Sequence, residues 1–338
     1  MFNTNQLPVQ NLAIMKTDQK STECTRMGNY TLSHQGTFQG RHICLARDDQ
    51  NKTYTCKRRT GAELNHIRKV QLVLGKCSRV LPIMNVVNTG SVLTESYTFQ
   101  DQIRGSLADL VARKGPLPEM LAARIIRQVL QCLDDCHSRG VVIQDLELDH
   151  FVITSSSDDR IFLHDVVDCD IYHPDADHDA PINPFTAPEV MMSSQHTTTS
   201  NIWSAGVMLY VLLSQHWPFF GNTKEELIQS IFSGQYFVHP CWSYELRHLF
   251  HCMLSVQPGR RLSAVQILKH PWFRVCEAME VRQKLRSSAE QHYTRSTSEQ
   301  QQFSRSTSEQ QQFSRSTSEQ QQFSRSTSEQ QPQSGDDK

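Results

Sequence analysis

Two lobes of unequal size, a small strand-rich one followed by a larger helical one, make α+β the fold class this sequence predicts. Three observations carry that expectation. From residue 30 to 97 the apolar pattern is strand-like, in runs such as His42-Ile43-Cys44-Leu45-Ala46 and Thr53-Tyr54-Thr55-Cys56-Lys57 broken by turn residues, and after Phe99 the period becomes helical. Residues 202–213 are apolar on nearly every side, the property of a helix at the centre of a large lobe. The 338 residues, 38% hydrophobic and 20% charged, hold enough apolar material for one two-lobed domain of about 250 residues plus tails.

The elements follow in order. Residues 1–26 are polar and aperiodic and are expected to be a flexible arm; 27–97 form the small lobe, with a helix expected over 65–74. The large lobe takes 98–274. Its first long helix shows apolar residues Leu121, Ile125, Ile126, Val129, Leu130 and Leu133 on one face, with Pro118 near its start, where the missing N–H is harmless. Further helices are expected around 225–233, 244–254 and 263–268, and the domain closes near Phe273. In the tail, 275–338, the decamer Arg-Ser-Thr-Ser-Glu-Gln-Gln-Gln-Phe-Ser recurs at 295, 305 and 315, with a degenerate copy at 325. One aromatic per copy cannot offset the ordering entropy, so this tail is expected to be disordered. An arginine stands three residues before each of Ser298, Ser308, Ser318 and Ser328, a spacing that suits basophilic kinases and makes these serines candidate phosphosites.

Charge and cysteine usage narrow the function classes. With 34 basic and 35 acidic residues the net charge is −1, so no whole-molecule field favours nucleic acid or an acidic membrane. The longest apolar stretch, 205–213, falls far short of the roughly 20 residues that cross a bilayer, and no basic start with an apolar core opens the chain. The expectation is an intracellular protein, of cytoplasm or nucleus, that engages neither membrane nor nucleic acid. Ten cysteines without a C-x-x-C pair are expected to be reduced. Cys132 and Cys136 share a helix face as small core residues, the loop 173–179 with its histidines and aspartates reads as solvated, and no metal site is expected.

A series of short motifs, each weak alone, is strong in order and separation. Cys56-Lys57 ends a strand as the lysine strand of a protein kinase does; Ile143-Gln144-Asp145-Leu146-Glu147 stands where H-R-D-L-K belongs, and Asp165-Val166-Val167 where D-F-G belongs. Ala187-Pro188-Glu189 is an intact A-P-E. Trp203-Ser204-Ala205-Gly206 opens the central helix, and Arg261 precedes His270-Pro271-Trp272-Phe273 at the place of the arginine that pairs with that glutamate. The series resembles the protein-kinase fold, with Glu189 and Arg261 as a structural ion pair.

The intact members brace the fold, whereas the altered ones belong to catalysis. Phosphoryl transfer needs a glycine-rich loop, a lysine held by a glutamate, metal held by Asp and Asn, and an Asp to orient the hydroxyl. In Leu32-Ser33-His34-Gln35-Gly36-Thr37-Phe38-Gln39-Gly40 only Gly36 keeps the G-x-G-x-x-G spacing. Glu63 follows Lys57 by only six residues, and 65–74 contains no acid, so Lys57 is expected to lack its usual partner. Glu147 replaces the lysine that would face the phosphate; two like charges about 4 Å apart repel by roughly 4 kcal/mol at an effective dielectric of 20, several hundredfold in rate. His150 replaces the metal-binding asparagine, and imidazole suits magnesium poorly. Lys57, Gly36 and Asp165 remain for weak nucleotide binding, with or without magnesium; no cofactor is required, and Asp145 keeps the base position without the machinery around it.

The chain further resembles the Tribbles pseudokinases over about residues 30–273. Val142-Ile143-Gln144-Asp145-Leu146-Glu147-Leu148-Asp149-His150-Phe151-Val152 is similar to that family's V-L-R-D-L-K-L-R-R-F-V; Tyr97-Thr98-Phe99 with Gly105-Ser106-Leu107-Ala108-Asp109-Leu110-Val111 is similar to its hinge, and Tyr54-Thr55-Cys56-Lys57 to its lysine strand. The resemblance implies an adaptor that restrains MAP-kinase and Akt signalling, binding a protein kinase (a MAP-kinase kinase or an Akt-like kinase), a transcription factor or other degradation target, and a ubiquitin ligase. It also implies partner contact through Ile267, Leu268, His270, Pro271, Trp272 and Phe273. Two departures stand out: no D-Q-x-V-P-E ligase-docking peptide follows Phe273, and Asp165 stands where the family usually carries serine or asparagine. The expected function is a scaffold; the alternative is a weakly active serine/threonine kinase using Lys57, Asp145 and Asp165.

Overall fold

The computed structural model describes residues 16–17, 25–38, 41–88, 95–155, 160–167, 169–171, 182–290, 300–301, 308–310 and 316. The loop 173–179 and three of the four candidate phosphosites, Ser298, Ser318 and Ser328, lie outside them; Ser308 is helical and exposed.

The small lobe is an antiparallel sheet whose central path runs β1 (Lys16–Thr17), β3 (Tyr30–Phe38), β4 (Arg41–Arg47), β5 (Thr53–Thr60), β7 (Glu95–Asp101), β6 (Asn85–Asn88), with β2 (Thr25–Met27) also paired to β3. The expected arm thus adds two short strands to the sheet. Strand β5 pairs on both sides, Lys57 standing opposite Ile43 on β4 and Thr98 on β7. Because Thr98 to Asp101 continue that ladder, the small lobe runs through Asp101 and not to 97. One face of the sheet packs Tyr30 on Phe99, with ring centroids 3.9 Å apart, and sets Tyr30 edge-on to Tyr54.

Helix α1 (Gly61–Leu74) starts directly after β5, four residues before the expected position. Thr60-Gly61-Ala62-Glu63 closes a capping box: Thr60 Oγ1 accepts the Glu63 N–H, and Glu63 Oε2 accepts the Thr60 N–H at 2.8 Å. The sole acid of the helix is therefore held at its first turn. Leu64, Ile67, Val70 and Leu74 form the buried stripe.

The large lobe begins with β8 (Ile103–Ser106) and α2 (Leu107–Lys114), and is built on α3 (Glu119–His137) and α5 (Thr198–Ser214). Every residue of α5 from Ser200 to Leu213 is buried, which is why its sequence lacks a polar face. Gly206 has a steric reason: a Cβ there would sit 2.8 Å from Leu254 Cδ2 and 3.0 Å from Met253 Cβ. Around this helix come β9 (Val141–Ile143), β10 (Phe151–Thr154), β11 (Ile161–Leu163), β12 (Cys169–Ile171), α4 (Pro188–Ser193), α6 (Lys224–Ser233), α7 (Tyr244–Met253) and α8 (Ala264–Ile267). Strand β10 lies between β8 and β11, and β12 pairs with β9. Cys132 and Cys136 are both buried in the core face of α3.

The segment expected to meet a partner is largely interior. Ile267, Trp272 and Phe273 are at most 1% exposed, His270 is buried and Leu268 half-buried, which leaves Pro271 alone of the six exposed. The reason is chemical: Trp272 donates its indole N–H to Glu119 Oε2 at 2.8 Å, and the same carboxylate accepts the Ser243 hydroxyl and N–H. The segment staples the start of α3 to α7. Helix continues past residue 275. The chain divides into a unit over Met1–Glu277 and a second over Ala278–Lys338; residues 271–277 of the first are helical, as are 278–290, 300–301, 308–310 and 316 of the second. No helix among the described residues is long and apolar enough to cross a membrane.

Candidate functional site

Residues two apart on a strand point to one face, so β5 sends both Lys57 and Arg59 toward the segment that follows β11. Asp165 meets them there. Its Oδ2 accepts from Lys57 Nζ at 2.9 Å and from Arg59 Nη2 at 2.6 Å, and its Oδ1 accepts the Val167 N–H at 3.2 Å. All three side chains are at most 3% exposed. Burial alone would push the Asp165 carboxyl up, but the charges of Lys57 and Arg59 hold it well below the usual carboxylate range. His164 completes the group: its Nδ1 lies 3.3 Å from Lys57 Nζ, and burial, reinforced by the Lys57 charge, pushes its pKa well down, so it is a neutral acceptor. Gln100 fixes the segment by donating to the carbonyls of Leu81 and His164.

Lys57 and Asp165, both expected to bind nucleotide, are thus bonded to each other. Arg59 had no part in the expected site, although its i+2 relation to Lys57 was present in the strand pattern. Gly36 lies within β3, opposite Ile43 and Thr17, so the retained glycine is part of a strand ladder.

The loop after β9 carries the remaining catalytic positions. Asn201 of α5 anchors it, accepting the Ile143 N–H at 3.0 Å and donating to the Ile143 carbonyl at 2.6 Å. Asp145 has a left-handed φ of 43°, a conformation aspartate tolerates better than most residues, and its Oδ1 is 3.6 Å from His196 Nε2. Glu147 accepts from Asn183 Nδ2 at 2.6 Å, which ties the loop to the chain entering α4. His150 is buried, and its Nδ1 accepts the Glu147 N–H at 3.1 Å. The two substitutions that departed most from a catalytic pattern therefore act together as a local brace.

Asp149, between them, is buried and accepts from Ser106 Oγ at 2.7 Å. Burial is the main cause, with Asp109 adding to it, that raises its pKa to about 6. A carboxyl raised in the folded state contributes fully below its unfolded value near 3.9, and that contribution is lost as pH rises through about 6. Asp149→Asn keeps an acceptor for Ser106 and removes the buried charge. It is expected to stabilise the fold by up to about 3 kcal/mol at pH 7.5 and by little at pH 4, as read by urea unfolding at both. The same difference from wild type at both pH values would contradict a buried Asp149 that ionises between them.

Below this loop Arg261 grips Glu189 with both guanidinium ends, at 2.6 and 2.7 Å, donates to the carbonyls of Ser255 and Thr199, and stacks on Trp203 with 5.0 Å to the ring centroid.

Comparison with known proteins agrees with this geometry. The protein kinase domain matches residues 43–273. Tribbles homolog 3 of Rattus norvegicus is 30% identical over an alignment covering 74% of this chain and 72% of that protein. Tribbles homolog 3 of Homo sapiens is 31% identical over 65% of this chain and 62% of its own length, and human Tribbles homolog 1 is 30% identical over 53% and 50%. A lysine strand, a two-lobed frame, a Glu–Arg brace and these matches lead to one conclusion: the chain belongs to the protein kinase domain family and, within it, to the Tribbles homologues.

Proposed function

We propose that this pseudokinase works as a scaffold in intracellular signalling, holding other proteins in place of transferring phosphate. The observation that carries the reading is the closed charge group Lys57–Asp165–Arg59. The lysine that would orient phosphates and the aspartate that would hold metal neutralise each other, and Arg59 adds a second cation at 2.6 Å from the same oxygen. Magnesium would have to displace both cations from a buried carboxylate. Glu147 and His150, held by Asn183 and by one another, supply neither the phosphate-facing charge nor an oxygen ligand in place of asparagine.

The partners suggested by the family resemblance are a protein kinase of the MAP-kinase-kinase or Akt type and a transcription factor or other protein destined for ubiquitin-dependent degradation. Their contact surface does not rest on the Trp272-Phe273 pair, which is interior. A second reading has one observation in its favour. The buried Arg59 has no hydrogen-bond partner at Nε or Nη1 among the described residues, so an anion such as a nucleotide phosphate would find two donors there without metal.

Thermal unfolding of the full chain with ATP, in excess magnesium and in excess chelator, separates these readings. Ligand that binds only the folded state must raise the midpoint by mass action. The scaffold reading expects no magnesium-dependent rise. A rise equal in both conditions and lost in Arg59→Met assigns metal-free nucleotide binding, whereas a magnesium-dependent rise of several degrees, with phosphotransfer abolished by Asp145→Ala, would overturn the scaffold reading in favour of a weakly active kinase.

A further inference from the structure

Outside the Lys57–Asp165–Arg59 group, three side chains with metal-ligating atoms converge on α7. His248 and Cys252 are four residues apart on that helix and so share a face, and His270 stands in the turn between α8 and residue 271. His248 Nδ1 is 2.8 Å from His270 Nε2 and 3.8 Å from Cys252 Sγ, and the three ligand atoms all lie within 4.8 Å of one another. The two imidazoles stack with centroids 5.1 Å apart. Two imidazoles and a thiol are the donor set of zinc, not of magnesium or calcium. Zinc bonds of about 2.0–2.1 Å to nitrogen and 2.3 Å to sulfur, at tetrahedral angles, set N···N near 3.3 Å and N···S near 3.6 Å. The site therefore needs the imidazoles to part by about half an ångström, and His248, being exposed, has room to move. Glu245, one turn before His248, places a negative charge near His270.

We infer that His248, Cys252 and His270 form a zinc site, with water or the Glu245 carboxylate in the fourth position. On binding, the Cys252 thiol gives its proton to solvent and the thiolate takes the metal. His270 binds through Nε2 and carries its proton on Nδ1, giving up the 3.3 Å contact in which that nitrogen accepts the Trp272 N–H. The ion clips α7 to the segment that carries Trp272, and so reinforces the closing staple of the large lobe.

The test uses the full chain freed of metal by chelation and titrated with cobalt, then zinc. One equivalent of cobalt is expected to give tetrahedral d–d bands with a thiolate-to-cobalt charge-transfer band, displaced by one equivalent of zinc, and zinc is expected to raise the thermal midpoint. Cys252→Ser should abolish the charge-transfer band, and it and His248→Ala should each weaken zinc binding by at least about tenfold. Neither position is in the core, and unchanged metal-free midpoints verify that both variants fold. The inference fails if the charge-transfer band survives Cys252→Ser, if both variants keep the wild-type zinc affinity, or if no uptake is tighter than about 1 μM.

Discussion

Asp165→Ala is expected to lower the unfolding free energy by about 3–5 kcal/mol and the thermal midpoint by roughly 10 °C. The magnitude follows from what the substitution leaves behind. Lys57 and Arg59 are 2% and 3% exposed and share one oxygen of that carboxylate, so its removal strands two like charges in the interior. Removing one member of a buried ionic group costs far more than removing all of it. Accordingly, Lys57→Met and Arg59→Met introduced together with Asp165→Leu should recover most of the loss. The pH dependence has a defined sign. Asp165 has a depressed folded-state pKa, so its stabilisation is present above the unfolded value near 3.9 and is lost as pH falls through the folded value. The gap between wild type and Asp165→Ala should therefore narrow in acid urea titrations. A loss under about 1 kcal/mol at pH 7 would mean that this carboxylate does not neutralise the pair, and with it would go the observation on which the scaffold reading rests.

Which parts of this site were legible in sequence depends on whether the controlling physics is local. The order of Lys57, Asp145, Asp165, Glu189 and Arg261 along the chain identifies the frame, because strand, loop and helix lengths between them fix where each lands. The cap at Thr60 was equally readable, since Thr-x-x-Glu before an apolar stripe is a helix start; reading Glu63 as too near Lys57 to belong to the next helix missed that its carboxylate closes the first turn. Arg59 was readable only by half: the alternation of a strand puts it beside Lys57, but nothing in the chain says that Asp165 swings in to meet both. Trp272 and Phe273 illustrate the opposite error. A short aromatic motif read through resemblance suggested a contact surface, while the plain expectation for two large aromatics at a domain end is burial, and Glu119, 153 residues away in sequence, is the partner that makes it so. His248, Cys252 and His270 divide the same way, the i, i+4 pair being visible in sequence and the third ligand set by tertiary packing.

The second large effect is expected at Arg261. Its guanidinium holds both oxygens of Glu189 and the carbonyls of Ser255 and Thr199 while its plane lies over Trp203, so truncation leaves a largely buried carboxylate and two carbonyls without their donor. Arg261→Ala is expected to cost about 4 kcal/mol in urea unfolding. Arg261→Lys should recover less than half, because a single ammonium cannot grip two oxygens, reach two carbonyls and stack on an indole at once. The chain offers its own control. Arg127 and Glu277 also form a close pair, at 2.5 Å, but their side chains are 29% and 59% exposed. Charge alone would predict similar losses at the two pairs; desolvation and geometry predict less than about 1 kcal/mol for Glu277→Ala. If the two variants proved equally costly, the brace between α4 and the loop before α8 would not be what holds the large lobe, and the weight would shift to the apolar contacts of α5, where Trp203 stacks on Phe219 with centroids 5.0 Å apart.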